Sequence, residues 1–325
     1  MSRAPRVTVV VPVHNGERYL QETLDSVAAQ SFEGWSAMIV DDASGDSSGS
    51  IAAAFANAHP GKVTVLSLQR NVGVAQARNL AIRHAPRTEL IALLDQDDCW
   101  RPDYLARKLA LLDAAVGSER RPGIVACNGW ILMSGGIVGT FAERFWWRDE
   151  IDLDAMIDRN YILARAMFTR EAFDRAGGEF SAECLASDDF DLWLRILEAG
   201  YEVLTIRDPL VVYRIHSGAQ SHSEMLLADG TIATYRRAID RGALTSRQRV
   251  RARARARHFR ALRERARAQQ AWSERRPLAA GALAVRATPY GAVAFLQNPS
   301  RWGEWATSLR GRAAALPDAG SIRRA

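Results

Sequence analysis

Short apolar runs alternate with longer stretches of mixed polarity along the first hundred residues. The runs are rich in Val, Ile and Leu and hold four to six residues each, which is typical of buried strands. Pro12 follows the first run, and we expect it to end the ladder of that strand because proline has no backbone N–H to donate. The predicted strands are residues 6–11, 37–40, 63–68 and 90–94.

The stretches between these runs have the apolar spacing of amphipathic helices. After the first run, Leu20, Leu24 and Val27 recur three or four residues apart, and Asn15-Gly16 stands where such a helix would begin. The predicted helices are residues 17–30, 51–58 and 74–84. Strands joined through helices cannot form hairpins, so the pattern indicates an α/β protein with a mostly parallel central sheet and helices on both faces.

A polar cluster follows each of the four predicted strands. Ligands of open parallel sheets bind beyond the carboxyl ends of the strands, where all four clusters would lie. Asn, Asp and Gly are also common in turns, so each cluster taken alone is more simply explained as a turn. Four in succession favour one binding site made by His14-Asn15, Asp41-Asp42, Arg70-Asn71 and Asp95-Gln96-Asp97-Asp98.

The last of these clusters holds three carboxylates within four positions, at Asp95, Asp97 and Asp98. Carboxylates this close raise one another's pKa unless a cation compensates, and their hard oxygen atoms suit Mg²⁺ or Mn²⁺ better than zinc. A solvated acidic turn would have the same composition. The sequence contains neither GxGxxG nor GxxxxGK[ST], so a phosphate ligand would be held by carboxylates, a metal and basic side chains.

The sequence from residue 123 to residue 198 adds a strand, a turn and an acidic helix start. Residues 123–133 have the character of a strand, and Ser134-Gly135-Gly136 that of a hairpin turn. Asp188 and Asp189 open a helix that continues through Glu198. Carboxylates at a helix N-terminus stabilise it by about 0.3–1 kcal/mol, which explains them without any catalytic role.

The net charge of +6 conceals an acidic body and a basic tail. Residues 236–325 hold 21 arginines and five acidic residues, whereas residues 1–235 hold 22 basic and 32 acidic residues. This change near residue 230 predicts a domain boundary, with a body at 1–230 and an Arg/Ala-rich helical region at 231–325. The arginines of 236–276 suit peripheral attachment to an anionic membrane, and a solvated helix face explains them equally well.

The tail and the cysteines limit the cellular location. The tail beyond its arginine-alanine repeat predicts two or three short helices packed as a hairpin, including one at residues 278–285. Arg286 and Pro289 interrupt the apolar stretch there, so it should not span a bilayer. Three cysteines without CxxC spacing favour a reducing compartment, and the N-terminal run is too short for a signal peptide. We expect a cytoplasmic protein, attached at most to the inner face of the membrane.

Several motifs, taken in order, resemble the family 2 glycosyltransferases of GT-A fold. They are Val9-Val10-Val11-Pro12-Val13-His14-Asn15, Ile39-Val40-Asp41-Asp42-Ala43-Ser44 with Asp46, Arg70-Asn71-Val72-Gly73 through Ala77-Arg78-Asn79, and Leu94-Asp95-Gln96-Asp97-Asp98. The resemblance covers about residues 5–222, with a nucleotide-sugar half at about 5–115 and an acceptor half at about 116–222. It implies a metal-dependent enzyme that uses Mn²⁺ or Mg²⁺.

The resemblance also implies a nucleotide-sugar site. Asp41 or Asp42 would accept a hydrogen bond from the base, and Arg70 would contact the base or the phosphates. Asp188 stands where the family usually has the longer glutamate. The implied nucleotide-sugar-binding residues are Pro12, Val13, His14, Asn15, Asp41, Asp42, Arg70, Asn71, Arg78, Asp95, Gln96 and Asp188.

Catalytic and metal-binding roles follow from the same resemblance. Asp189 matches the catalytic base, which takes the proton of an acceptor hydroxyl during a single displacement with inversion. Asp97 would bind the metal directly, and Asp95 would face the ribose or a metal-bound water. His216, in Tyr213-Arg214-Ile215-His216, would be a third metal ligand or a diphosphate contact.

The sequence therefore predicts an inverting hexosyltransferase that moves a sugar from a nucleoside diphosphate, UDP in the first place, to a saccharide or lipid-linked acceptor in surface-glycan assembly. A nucleotidyltransferase or pyrophosphorylase acting on sugar phosphates would also use a parallel sheet and paired acidic ligands. A nucleic-acid-binding protein is suggested by the pI of about 9.6. The acidic body and the lack of a nucleic-acid-binding motif weigh against it, so we expect no nucleic acid partner. The donor sugar, the acceptor and the oligomeric state are not encoded in these motifs.

Overall fold

The computed structural model describes residues 4–115, 117–163, 165–216 and 223–274. These residues form two compact units. The first holds the described residues up to Ile131 together with Gly139–Arg214, and the second holds Leu132–Val138 and the described residues from Ile215 onward. The helix predicted at 278–285 lies outside the described residues.

Nine strands within the described ranges belong to one sheet. They are β1 (Val7–Val13), β2 (Trp35–Asp41), β3 (Val63–Ser67), β4 (Leu90–Leu93), β5 (Cys99–Trp100), β6 (Pro122–Met133), β7 (Gly136–Thr140), β8 (Met167–Thr169) and β9 (Glu202–Arg214). Eight follow in the order β3-β2-β1-β4-β8-β6-β9-β5, and β7 pairs with β6.

Ten α-helices lie in the described ranges. They are α1 (Leu20–Ala28), α2 (Ser48–Ala58), α3 (Val74–His84), α4 (Tyr104–Ala114), α5 (Phe141–Arg144), α6 (Leu153–Asp158), α7 (Arg170–Arg175), α8 (Asp188–Glu198), α9 (Glu224–Asp240) and α10 (Ser246–Ser273). A short 3₁₀ segment, Ala182–Ser187, leads directly into α8.

The four strands predicted from the first hundred residues lie side by side in the sheet. β1 pairs in parallel with β2 and with β4, and β2 pairs in parallel with β3. The later strand β8 runs antiparallel to β4 and to β6, and β5 runs antiparallel to β9. The predicted α/β class with a mostly parallel sheet is confirmed.

Every residue of β1 is buried, so both faces of this central strand are covered. Val9 and Val11 belong to the same hydrophobic cluster as Leu20 and Leu24 of α1, which shows how the amphipathic helix after β1 covers one face. The apolar stripe predicted for residues 17–30 is therefore real, although α1 is shorter than that range.

Pro12 ends only one of the two ladders that β1 makes. Towards β4, the last bond joins the Leu94 N–H to the Val10 carbonyl, and Pro12 has no hydrogen with which to continue it. Towards β2 the pairing runs on, and the Asp42 N–H donates to the Val13 carbonyl at 2.7 Å. The prediction is thus right on the β4 side and wrong on the β2 side, because alternate residues of a strand bond opposite neighbours.

The second unit differs from the prediction in its helices. The arginine-rich stretch and the residues after it form the single 28-residue helix α10, instead of several short helices. A capping box between Thr245 and Gln248 starts this helix, because each side chain bonds the other residue's backbone N–H. Within the described residues, no helix combines the length and the apolar character needed to cross a membrane.

Candidate functional site

The ends of β1, β2 and β4 are joined by hydrogen bonds around His14. The His14 ring Nδ1 lies 2.8 Å from the Asp42 carbonyl, so Nδ1 carries the proton and donates to this acceptor. Gln96 pairs with the His14 backbone, accepting its N–H at 2.7 Å and donating to its carbonyl at 3.0 Å. Gly16 leaves the room for this contact, since a Cβ there would lie 2.5 Å from Gln96 Oε1. Gln96 therefore connects two strand ends.

Asn15 fixes the loop that follows β2. Its φ of 51° is in the left-handed region, which asparagine adopts more readily than most residues. Its N–H donates to Ser44 Oγ at 3.0 Å, and its side-chain oxygen accepts from the Gly45 N–H at 2.8 Å. Ala43, in the same loop, has a φ of 57°, an unfavourable value for a residue with a Cβ.

The two carboxylates at the end of β2 have different surroundings. Asp42 is buried and accepts from the backbone N–H groups of Val72 and Gly73 at 2.7 and 2.8 Å. It thereby joins the end of β2 to the loop that precedes α3. Asp41 accepts from the Ser44 N–H at 3.1 Å, and its other oxygen lies against the bare Cα of Gly49, where a Cβ would come within 2.8 Å.

Pro12 and Val13 are buried at the C-terminal end of β1. Arg70 and Asn71, which follow β3, are exposed. Asn71 accepts from the Gly73 N–H at 3.1 Å. Arg70, Asn71 and three residues of α3 line an open depression of about 440 Å³. The two segments are thus joined through Asp42, and Arg70 lies on the outer side of that junction.

A buried arginine connects the acidic loop after β4 with the start of α8. Arg78 is 3% exposed and donates from Nη1 to Asp188 Oδ2 at 2.8 Å and from Nη2 to Asp95 Oδ1 at 2.7 Å. Burial raises the pKa of Asp95, but the charges of Arg78 and Arg165 outweigh it and hold that pKa below its ordinary value. Two acidic clusters that lie 93 positions apart in the sequence are thus brought together by α3.

Arg165 is a site residue that the sequence reasoning missed. Its guanidinium pairs with Asp95 Oδ2 at 3.2 Å, also pairs with fully buried Asp98, and lies 4.4 Å above the ring of Tyr213. Burial raises the pKa of Asp98 to about 8, while Arg165 acts in the opposite direction. A lone arginine ahead of a three-residue strand has no pattern that would have singled it out.

Lys108 is linked to the backbone of Arg165 through Tyr104. The sequence analysis did not identify Lys108 either. Its ammonium is completely buried and donates to Tyr104 Oη at 3.0 Å and to the Val125 carbonyl at 2.8 Å. Tyr104 Oη in turn donates to the Arg165 carbonyl at 2.6 Å. Burial lowers the pKa of Lys108 to about 8. This chain of bonds fixes the backbone from which Arg165 reaches the carboxylates.

The end of β9 is attached to the acidic loop through Arg214. Its N–H donates to Asp98 Oδ1 at 2.9 Å, its Nε donates to the Asp97 carbonyl at 3.0 Å, and Nη2 pairs with Glu22 at 2.6 Å. Asp97 is partly exposed, unlike Asp98. Arg214 therefore fixes the backbone of the loop while the carboxylate of Asp97 keeps access to solvent.

Asp189 lies at the start of α8, next to Asp188, and is 9% exposed. Its Oδ1 accepts from the Phe190 N–H at 2.8 Å. Burial, followed by the charge of Asp188, raises the pKa of Asp189 to about 7, although Arg78 acts in the opposite direction. A carboxylate with a pKa near the working pH has the protonation behaviour of a general base.

Two buried polar side chains fix the segment that leads into α8. Asn79 pairs with the backbone of Phe180, donating to its carbonyl at 2.9 Å and accepting its N–H at 2.7 Å. Arg195 of α8 donates to the carbonyls of Ala176 and Glu179 and pairs with Asp191 at 2.9 Å. Because Asn79 follows Arg78 in α3, one helix positions both the acidic pair and the approach to it.

The predicted metal ligands Asp95, Asp97 and His216 have different surroundings. Among the described residues, no three His, Cys, Asp or Glu side chains are arranged so as to hold a metal ion. Both oxygens of Asp95 face arginines, and His216, half-buried, belongs to the second unit. The hard oxygen atoms of Asp97 still suit Mg²⁺ or Mn²⁺, which are commonly held by one or two carboxylates and the phosphates of a substrate.

Comparison with protein families gives one match over half of the chain. The family model described as Glycosyl transferase family 2 matches residues 8–177. TuaG of Bacillus subtilis (strain 168), provisionally named a teichuronic acid biosynthesis glycosyltransferase, is 28% identical over 71% of this chain and 88% of its own. The amylovoran biosynthesis glycosyltransferase AmsB of Erwinia amylovora is 24% identical over 64% of this chain and 69% of its own.

Solved structures with the same fold include two enzymes with bound sugar nucleotides. The mannosyltransferase PcManGT of Pyrobaculum calidifontis, in complex with GDP-Man and Mn²⁺, has a TM-score of 0.63 and 22% identity over 95% of this chain and 84% of its own. TarS 1–349 of S. aureus, in complex with UDP-GlcNAc, has a TM-score of 0.62 and 16% identity over 87% of this chain and 79% of its own. At these identities the likeness establishes the fold alone, which is that of the GT-A enzymes.

Proposed function

The chain belongs to glycosyltransferase family 2 and is a glycosyltransferase, and we propose that it is an inverting, metal-dependent hexosyltransferase with Asp189 as its general base. The donor is a nucleoside diphosphate sugar, UDP in the first place. The observation that carries this proposal is the Arg78 bridge, which holds the carboxylates after β4 beside the raised-pKa carboxylate pair of α8.

On the donor side, Asp41 is the residue we assign to the base. Asp42 already accepts two backbone N–H groups, so its oxygens are engaged in holding the loop. Asp41 accepts the Ser44 N–H through Oδ1, and its Oδ2 lies against the Cα of Gly49. His14, Asn15, Pro12 and Val13 border the same strand ends, and Gln96 keeps them in place. Arg70 and Asn71 extend this border outward.

On the acceptor side, Asp189 takes the proton of the attacking hydroxyl. A hydroxyl is a poor nucleophile until its proton leaves in the transition state, and a carboxylate with a pKa of about 7 is largely ionised just above neutrality. Asp188 forms an ion pair with Arg78. We assign its carboxylate to a contact with the donor sugar. One base opposite the leaving diphosphate leads to a single displacement and inversion of the anomeric carbon.

Asp97 is the protein ligand we assign to Mn²⁺ or Mg²⁺. Bound there with the donor diphosphate, the ion supplies Lewis-acid stabilisation of the leaving group, on the order of several kcal/mol. Arg165 and Arg78 hold Asp95 ionised beside it, and Arg214 fixes the loop that carries Asp97.

For the acceptor we propose a saccharide or a lipid-linked saccharide of a surface glycan. The support is the naming of TuaG and AmsB for teichuronic acid and amylovoran biosynthesis. We place the enzyme in the cytoplasm, where nucleotide sugars are made.

A donor screen tests the proposal. The purified chain is incubated with UDP-, GDP- and dTDP-sugars and Mn²⁺, and release of nucleoside diphosphate and of pyrophosphate is measured separately. We expect diphosphate release that is abolished by EDTA or Asp97→Ala and lowered about 10²–10⁴-fold by Asp189→Asn. Asp208→Asn, the same change at an exposed residue of β9, is the matched control.

Release of pyrophosphate in place of nucleoside diphosphate would instead identify a nucleotidyltransferase. Full turnover by Asp189→Asn would remove the assignment of the base, and an α-configured product from an α-linked donor would contradict inversion.

A further inference from the structure

The second unit contains a two-helix hairpin whose function is not explained by glycosyl transfer. α9 and α10 run antiparallel, as shown by the ion pair of Asp229 with Arg263 at 2.9 Å and the ring contact of Tyr235 with Phe259 at 6.4 Å. Small residues of α10, such as Ala252 and Ala256, are buried. Arg253 and Arg257, which follow these alanines in the sequence, lie on a different side of the helix and are exposed.

The charge of α10 is almost entirely of one sign. The helix holds ten arginines and one carboxylate, Glu264. Glu264 is 8% exposed and already pairs with Arg263 and Arg267 at 3.0 and 3.4 Å. Within α10, the arginines at 247, 253, 257, 260, 265 and 267 are exposed. A partner that approached this surface would thus meet guanidinium groups and no accessible carboxylate of α10.

Two apolar side chains project from the same side of the helix as these arginines. Val250 is 61% exposed and Trp272 is 70% exposed. At about 100° per residue, Val250, Arg253, Arg257 and Arg260 fall within about 80° of one another around the helix axis. Ala261 and Glu264, at similar angles further on, are buried, and Trp272 is exposed again roughly 30 Å beyond Val250. Leu226 and Leu227 of α9 are also exposed, at 41% and 36%, near the end of α9 that pairs with the later part of α10. We call Val250, Arg253, Arg257, Arg260 and Trp272 the basic face.

We propose that the basic face docks on an anionic phospholipid bilayer. Guanidinium groups bind phosphate oxygens in a bidentate manner, and clusters of basic residues are drawn to the negative surface of anionic membranes. Indole rings favour the boundary between headgroups and acyl chains, and an aliphatic side chain adds buried apolar area there. The exposed Trp272 and Val250 favour a bilayer over a nucleic acid, which offers no acyl region for them. The surface would hold the enzyme where lipid-linked acceptors lie.

Flotation of the full chain with vesicles tests this surface. We expect binding to vesicles of 30% phosphatidylglycerol in phosphatidylcholine and none to phosphatidylcholine alone. Each arginine should contribute about fivefold to the affinity, so Arg253→Ala with Arg257→Ala should weaken binding about 25-fold at 0.1 M salt. Trp272→Ser should weaken it further, and 1 M salt, with a Debye length of about 3 Å, should remove most of it.

Matched controls separate the basic face from general charge. Arg87→Ala with Arg120→Ala removes two exposed arginines of the first unit, and we expect unchanged vesicle binding. Circular dichroism of each variant checks that α10 is still formed, and donor-sugar hydrolysis in solution should be the same for all of them. The proposal stands apart from the catalytic assignment, since failure of one assay leaves the other interpretable.

Three results would overturn the proposal. One is equal binding to neutral and anionic vesicles, and another is vesicle binding that the Arg253/Arg257 and Trp272 variants leave unchanged. The third is tighter binding to a 30-nucleotide single strand than to anionic vesicles, with competition between the two, which would make the basic face a nucleic-acid surface.

Discussion

Asp188 and Asp189 are adjacent in sequence, yet their side chains have different partners. Asp188 is 2% exposed and ion-paired with Arg78, whereas Asp189 is 9% exposed and bonds the N–H of its own helix. Burial raises the pKa of both, and the charge of Asp188 raises the pKa of Asp189 further. Arg78 lowers the pKa of both carboxylates, and it forms an ion pair with Asp188.

We predict that the acid limb of the pH profile of kcat/KM lies near pH 7 and moves to lower pH in Asp188→Asn. Asp189 must be deprotonated to act, so activity rises with pH through its pKa of about 7. Loss of the Asp188 charge lowers that pKa, because one of the groups that raise it is gone. An unchanged limb in Asp188→Asn, with the control Asp208→Asn also unchanged, would contradict the electrostatic coupling.

Ala43 is strained by its backbone at a point where the site loop turns. Its φ of 57° costs an L-residue about 1–2 kcal/mol relative to the right-handed region. We predict that Ala43→Gly raises the free energy of unfolding in urea by about 1 kcal/mol, the relief exceeding the greater freedom of glycine in the unfolded chain. Ala53→Gly, in exposed helix α2, should lower it by about 1 kcal/mol. A loss of stability in both variants would show that Ala43 is not strained.

At the scale of elements, α3 organises the site. It begins where Asp42 accepts from Val72 and Gly73, carries Arg78 to both acidic clusters, and holds Phe180 through Asn79. The guanidinium of Arg78 also lies 5.6 Å above the ring of Phe180. The segment before α8 is therefore positioned by the same helix that compensates its carboxylates.

We predict that Asn79→Leu lowers the free energy of unfolding by about 2–4 kcal/mol and also lowers turnover. The change leaves the N–H and carbonyl of Phe180 buried without their partner, each costing about 1–3 kcal/mol. Urea unfolding and the donor-release assay measure the two effects, with exposed Asn71→Leu as the control for stability. Wild-type stability in Asn79→Leu would mean that the segment before α8 is held by other contacts.

The sequence was sufficient for the elements whose hydrophobic period is local. The four parallel strands and α3 lie within a residue or two of their predicted positions. The two-residue strand β5 and the three-residue β8 were missed, because they exist only through pairing with distant strands. Arg165 and Lys108 were missed for the same reason, since a buried charge is defined by partners that the fold brings to it.

Across the whole first unit, Arg78 connects the predicted nucleotide-sugar half, through Asp95, with the predicted acceptor half, through Asp188. Its ion pair with Asp188 is buried and its ion pair with Asp95 is partly buried, and together they join the loop after β4 to α8. The desolvation of such pairs offsets much of their attraction, so their contribution is greater to the arrangement of the site than to net stability. Removal of the arginine alone leaves Asp188 without its ion pair and Asp95 with Arg165 as its remaining arginine partner.

We predict that Arg78→Met destabilises the first unit by about 3–5 kcal/mol and that adding Asp188→Asn restores part of the loss. In the double variant the Asp188 carboxylate that lost its arginine is replaced by a neutral amide. The changes in unfolding free energy caused by Arg78→Met and by Asp188→Asn should therefore not add. Urea titration monitored by tryptophan fluorescence gives the three values. Arg87→Met, in an exposed ion pair, should change stability by about 0–1 kcal/mol. Strict additivity of Arg78→Met and Asp188→Asn would refute a bridging role.

The one-sided effect of Pro12 decides where the acidic loop leaves the sheet. Because position 12 has no hydrogen to offer the neighbouring strand, pairing stops at Leu94, and the next residue, Asp95, is released to turn toward its arginines. Any residue able to donate at that position would allow one more bond to close. The loop would then be drawn back into the sheet, and an imino acid on one strand thus determines the reach of the carboxylates on another.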